Sequence, residues 1–190
     1  MDSQEKNLKV YTEGTPNPNA LKFVLDQTLL ETGSASFTNK EKASNSPLAK
    51  KLFVLDSVKE ILIGRNFITI TKDQNVIWDS IYGKIEAIIS EHFESGEPII
   101  TESDQQTTDN KKTTGDPVEE KIKEILDNQI RPAVASDGGD IIFDSYKDGI
   151  LRLHLQGACS SCPSSIMTLK VGVEQMLKRQ IPELKEVISI

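Results

Sequence analysis

Two cysteines, Cys159 and Cys162, stand three positions apart in "QGACSSCPSS", and no other cysteine occurs among the 190 residues. A C-x-x-C pair on a tight turn can aim both sulfurs at one centre, which opens metal ligation, cluster ligation and dithiol redox exchange. Pro163 follows at once and can open a helix, whose unpaired N–H groups and positive dipole end stabilise thiolates. Gly157, Ala158, Ser160 and Ser161 are small, so the backbone can approach a bound centre, and the expected site lies near the surface.

Ligand arithmetic narrows these options. Structural zinc takes four protein ligands, and a 4Fe–4S cluster is typically held by about four cysteine thiolates. This chain supplies two. His154 lies on the strand entering the turn and His92 in a helix far along the chain, and each reads as a surface or packing residue rather than a third ligand. The site must therefore be shared, with two copies meeting at their turns to present four thiolates. Zinc held by such a dimer stays open, and so does a thiol-disulfide oxidoreductase using the same pair. Against the oxidoreductase, 28 residues follow Cys162, enough for one helix and one strand but not for the further strands of a thioredoxin-like fold. The stretch "SDGGD", residues 136–140, reads as a turn into a strand, whose glycines let it pack beside the cysteine turn, rather than as a calcium or phosphate loop.

The elements that position this turn follow from periodicity. Residues 1–98 form a first domain: "LKVYTEG" and "ALKFVLD" alternate like strands around the turn-forming "TPNPN". Ser46 and Pro47 cap and open a short helix, and "VKEILIG" and "FITITK" form a second strand pair around "GRN". Ile77, Ile81, Ile85, Ile88, Ile89 and Phe93 mark one helical face that Gly96 stops. Residues 99–115 are polar and read as a linker, since structureless loops of that length are uncommon within a domain. Residues 116–190 form a second domain. Asp116 and Pro117 start a helix with the stripe Val118, Ile122, Ile125, Leu126 and Ile130. Two strands flank "KDG", with Leu151, Leu153 and Leu155 on one face. Ile166, Leu169, Val173, Met176 and Leu177 stripe a helix after the cysteines, and "EVISI" ends the chain as a strand. The fold class is α+β: two small domains, each a sheet packed with helices, joined by a flexible linker.

The formal charge of −7, from 29 acidic and 22 basic residues, argues against nucleic acid as a partner. No apolar run approaches the roughly 18 residues of a membrane-spanning helix. The opening "MDSQEKNLKV" has neither an apolar secretion core nor the Arg-rich pattern of a transit peptide, so a cytoplasmic setting is expected.

"RPAVASDGGDIIF", "LRLHLQGACSSCPSSIMTLKVGVEQML" and "IPELKEVISI" resemble the C-terminal NifU-like domain of the Nfu family of iron–sulfur cluster carriers. "TPNPNALKFVLD", "SPLAKKLFVLDSVKEILIGRNFITITK" and "WDSIYGKIEAIISEHFESGEP" resemble that family's N-terminal domain. The resemblance implies a non-enzymatic carrier that takes a labile 4Fe–4S cluster between protomers of a homodimer or higher oligomer. It also implies an upstream donor scaffold, apo iron–sulfur proteins as recipients, and Cys159 and Cys162 as the ligands. Ser161 and Ile166 depart from the family's frequent glycine and threonine without touching the thiols.

Overall fold

Alternation and turn chemistry build the first sheet. β1 (Val10–Gly14) and β2 (Ala20–Leu25) pair antiparallel across a turn that is locked by its own side chains. Thr15 Oγ1 donates to the carbonyls of Asn17 and Ala20, both at 2.9 Å, and Asn17 Oδ1 accepts from the Asn19 N–H at 3.0 Å. This is a computed structural model that describes residues 8–101, 116–160 and 163–190, so most of the linker lies outside the described residues.

β3 (Ala35–Phe37) falls in a stretch whose sequence reads as loop, because three residues are too few for an alternating pattern and only Phe37 is buried. It pairs with β4 (Val58–Ile63), which pairs with β5 (Phe67–Lys72), completing an antiparallel sheet of five strands in the order β1-β2-β5-β4-β3. α1 (Pro47–Leu52) begins as expected, with Ser46 Oγ accepting from the Ala49 N–H at 3.1 Å. α2 (Tyr82–Ser95) ends at Gly96, whose φ of 68° is the left-handed stop. The helix starts later than its apolar stripe predicts. A short turn at Trp78–Ser80 precedes it, and Ile77 is left exposed while Ile81, Ile85 and Ile89 are buried.

The sheet buries two faces, and this decides where the cysteine turn can sit. Phe23, Ile61, Ile63, Ile68 and Ile70 point toward α1 and α2 in the larger core. Val24, Leu62 and Phe67 point the other way and pack with Ala135 of the second domain. Every residue of β5 is consequently buried, including Thr69 and Thr71.

The second domain starts with α3 (Pro117–Ile125), where Asp116 Oδ1 accepts from the Val118 N–H at 2.9 Å. A single wide turn at Leu126–Ile130 carries it into α4 (Arg131–Ser136), beyond the end of the predicted stripe. Pro132 has no N–H to donate, and the wide turn places it in a first helical turn, where none is needed. β6 (Gly139–Lys147) and β7 (Ile150–Gly157) form a hairpin turning at Asp148 and Gly149, with φ of 54° and 85°. α5 (Pro163–Gln180) follows, and β8 (Glu186–Ser189) runs parallel to β7. Ile122, Ile125, Leu151, Leu153, Val173 and Leu177 share one core, so both helices cover one face of this three-stranded sheet. The Glu174 carboxylate accepts from the Val187 N–H at 3.2 Å and ties α5 to β8.

His92, on α2, is fully buried, and burial holds its imidazole below the ordinary value of 6.5, with Lys51 adding to the effect. The unfolded chain therefore takes up a proton that the folded chain resists. Stability from this group is complete above about pH 6.5 and is lost as pH falls toward the lowered folded value. Thermal melts of the full chain between pH 7.5 and 5 are expected to show a falling midpoint that His92→Leu flattens. An unchanged slope in that variant would assign the loss to other groups.

Candidate functional site

β7 delivers the chain to the cysteine turn, and glycines on both sides let it close. Gly157 ends the strand with φ of 66°, a conformation that favours glycine. A Cβ built there would meet the Gly138 carbonyl oxygen and Leu62 Cδ2, each at 2.6 Å. A Cβ on Gly139, which pairs with Gly157 across the ladder, would meet Cys159 Sγ at 2.6 Å. The "SDGGD" segment thus packs beside the cysteine turn, as its glycines predict. The Ala158 N–H donates to the Gly138 carbonyl and the Ser160 N–H to the Gly157 carbonyl, both at 3.1 Å.

Cys159 is 5% exposed and belongs to the apolar core with Val134 and Val173, which corrects the expectation of a near-surface thiol. The reason is the missing Cβ of Gly139: the space it vacates holds the sulfur. The thiol also borders a cleft of about 420 Å³ between α4 and α5, partly walled by Pro16 of the first domain. Cys162 lies outside the described residues. α5 begins one residue after it, which puts the positive end of an 18-residue helix beside the turn. His154 Nδ1 lies 3.1 Å from the Ile190 carbonyl and Nε2 3.5 Å from Asp144, while His92 is buried in the other domain.

Residues that the sequence did not single out hold the turn from the first domain. Glu60 Oε1 accepts from the Gly157 N–H at 2.9 Å, and Glu60 Oε2 accepts from Ser160 Oγ at 2.7 Å. Asn17 Nδ2 donates to the Ala158 carbonyl at 3.1 Å. Ser34 Oγ donates to the Asp140 carboxylate, whose other oxygen accepts from the Ile141 N–H at 2.7 Å and lies 3.4 Å from Arg131 Nε. Lys22 Nζ reaches the Ser136 carbonyl at 3.4 Å. Glu60 occupies a polar position in an alternating strand, a pattern that ordinarily means solvent, so no local signal marks it.

Cys159 sits on a glycine-lined turn that leads into α5, on a three-stranded sheet beside a separate antiparallel domain, which defines a two-domain α+β protein. Comparison with known proteins gives it a family. The family model described as "Scaffold protein Nfu/NifU N terminal" matches residues 10–96, and the "NifU-like domain" model matches residues 122–188. The human "NFU1 iron-sulfur cluster scaffold homolog, mitochondrial" is 44% identical over 182 residues, covering 95% of this chain and 71% of that protein. "NifU-like protein 5, mitochondrial" of Arabidopsis thaliana is 39% identical over 188 residues, covering 97% of this chain and 68% of its own length. The solution structure of a NifU-like protein from Saccharomyces cerevisiae superposes with a TM-score of 0.48 at 31% identity, covering 54% of this chain and 92% of that one. The chain belongs to the Nfu family of iron–sulfur cluster scaffolds.

Those relatives are named mitochondrial, which overturns the cytoplasmic expectation. That expectation rested on the character of the first ten residues. A cellular address is read by a receptor from a short signal, so the chemistry of the folded domains does not encode it.

Gly157→Ala forces a side chain into a positive φ and against the Gly138 carbonyl. We expect it to cost about 1–3 kcal/mol in urea unfolding, as strained and overpacked sites do. A midpoint within error of the wild type would show that the turn is not held by this approach.

Proposed function

We propose that the protein is a non-catalytic carrier in which Cys159 and Cys162, together with the same pair from a second copy, ligate one 4Fe–4S cluster for delivery to apo-proteins. The observation that carries this reading is the thiol count. The matched NifU-like domain holds two cysteines at a helix start, half of the roughly four thiolates that a cluster takes. Among the described residues, no group of three or more His, Cys, Asp or Glu is arranged to hold a metal alone.

The turn's chemistry supports the reading. The N-terminus of α5 favours thiolate over thiol and favours an anionic cargo. A half-site binds through two sulfurs per chain, so a recipient can displace the carrier one ligand at a time. In each exchange an incoming cysteine loses its proton, its sulfur bonds iron, and a carrier thiolate leaves and is reprotonated. An upstream scaffold supplies the cluster, and the first domain serves as a docking module. The homodimer is the smallest assembly that completes the ligand set, and higher oligomers built from such pairs satisfy the same count. The names of the relatives favour the mitochondrion as the place of transfer.

Anaerobic reconstitution with iron and sulfide, read by absorption and Mössbauer spectra, tests this. The wild type is expected to take up a 4Fe–4S cluster, and Cys159→Ala and Cys162→Ala are each expected to lose nearly all of it. The reading is falsified if the wild type binds no cluster or if either single variant retains it fully.

A further inference from the structure

The second face of the first sheet is occupied, and what it covers is the cysteine turn. Glu60 takes two donors from that turn, Gly157 N–H and Ser160 Oγ, while Asn17 binds its Ala158 carbonyl and Leu62 packs on Gly157. Pro16 walls the cleft that Cys159 borders, and Val24, Leu62 and Phe67 seal the interface against Ala135. Cys159 is buried by its own domain's core, at 5% exposure, and the first domain covers the adjoining Gly157, Ala158 and Ser160 of the turn.

We propose that this face is a built-in docking surface for the cysteine turn, latched by Glu60, and that it competes with a second copy's turn for the same ground. The inference rests on the carrier reading and adds to it a closed, cluster-free state. Charge sets the direction of the competition. Thiolates and their cluster are anionic, and the donors around the turn would stabilise them, but Glu60 already uses two of those donors and adds a negative charge beside them. A cluster bridging two chains therefore binds the open form better than the closed one and shifts the population toward open. By reciprocity, whatever releases the first domain strengthens loading by the same factor.

Glu60→Ala in the full chain tests the latch, and Glu60→Gln serves as the shape-preserving second variant, with thermal midpoints verifying that both fold. Amide exchange by NMR reads the turn directly. The Gly157 N–H, held by Glu60, should exchange about ten-fold faster in Glu60→Ala, as expected for loss of a hydrogen bond to a charged group. The Ala158 N–H, held by the Gly138 carbonyl within the same domain, is the internal reference. Loading of iron and sulfide should be several-fold faster in both variants than in the wild type. Unchanged Gly157 exchange in Glu60→Ala, or wild-type loading rates in both variants, would overturn the proposal. If no form of the protein takes up a cluster, the carrier reading fails, and Gly157 exchange still decides whether the latch exists.

Discussion

Backbone crowding around Cys159 is the constraint on which the rest of the site depends. Gly139 and Gly157 bring the "SDGGD" segment, the end of β7 and the cysteine turn together at distances that no Cβ could tolerate. With those side chains absent, the Ala158 N–H reaches the Gly138 carbonyl and the sulfur occupies the space beside Gly139. The turn is thus set by tightly opposed backbone rather than by its own sequence, and α5 starts immediately beyond it. Position and polarity follow from the same packing, because the helix starts close enough to set its positive end beside the turn.

The same closeness exposes the turn's polar groups along one edge, and the first domain meets them there. Period-two alternation gives β2, β4 and β5 one face for α1 and α2 and another that carries Val24, Glu60, Leu62 and Phe67. The second face is partly apolar and partly charged. It meets one backbone donor and one hydroxyl donor with a carboxylate, and a backbone acceptor with the Asn17 amide. Asn17 is available for this because its own turn is held by Thr15 and Asn19.

Much of this architecture is legible in the sequence because the signals are local. Ser46 and Asp116 announce helix starts, Gly96 a stop and "KDG" a hairpin, each through the chemistry of one or two residues. The cysteine pair and the close packing of "SDGGD" are legible for the same reason. β3 is not, since three residues carry no period, and the run of helix through Pro132 is not, since it depends on a wide turn without a composition signature. Glu60 illustrates the deeper limit. Its role depends on a partner 97 residues away, and an exposed-looking glutamate in a strand carries no mark of what will cover it. The burial of Cys159 is hidden likewise, because small neighbours predict an approachable thiol until the fold places it against Gly139.

The proposed reading makes Cys159 and Cys162 half of a site that a second copy completes. Native mass spectrometry of the anaerobically reconstituted wild-type protein tests that claim most directly. The account predicts a species of two chains carrying four irons and four sulfides, with unloaded protein at the mass of one chain. A cluster carried by a single chain, or two chains holding zinc alone, would contradict it.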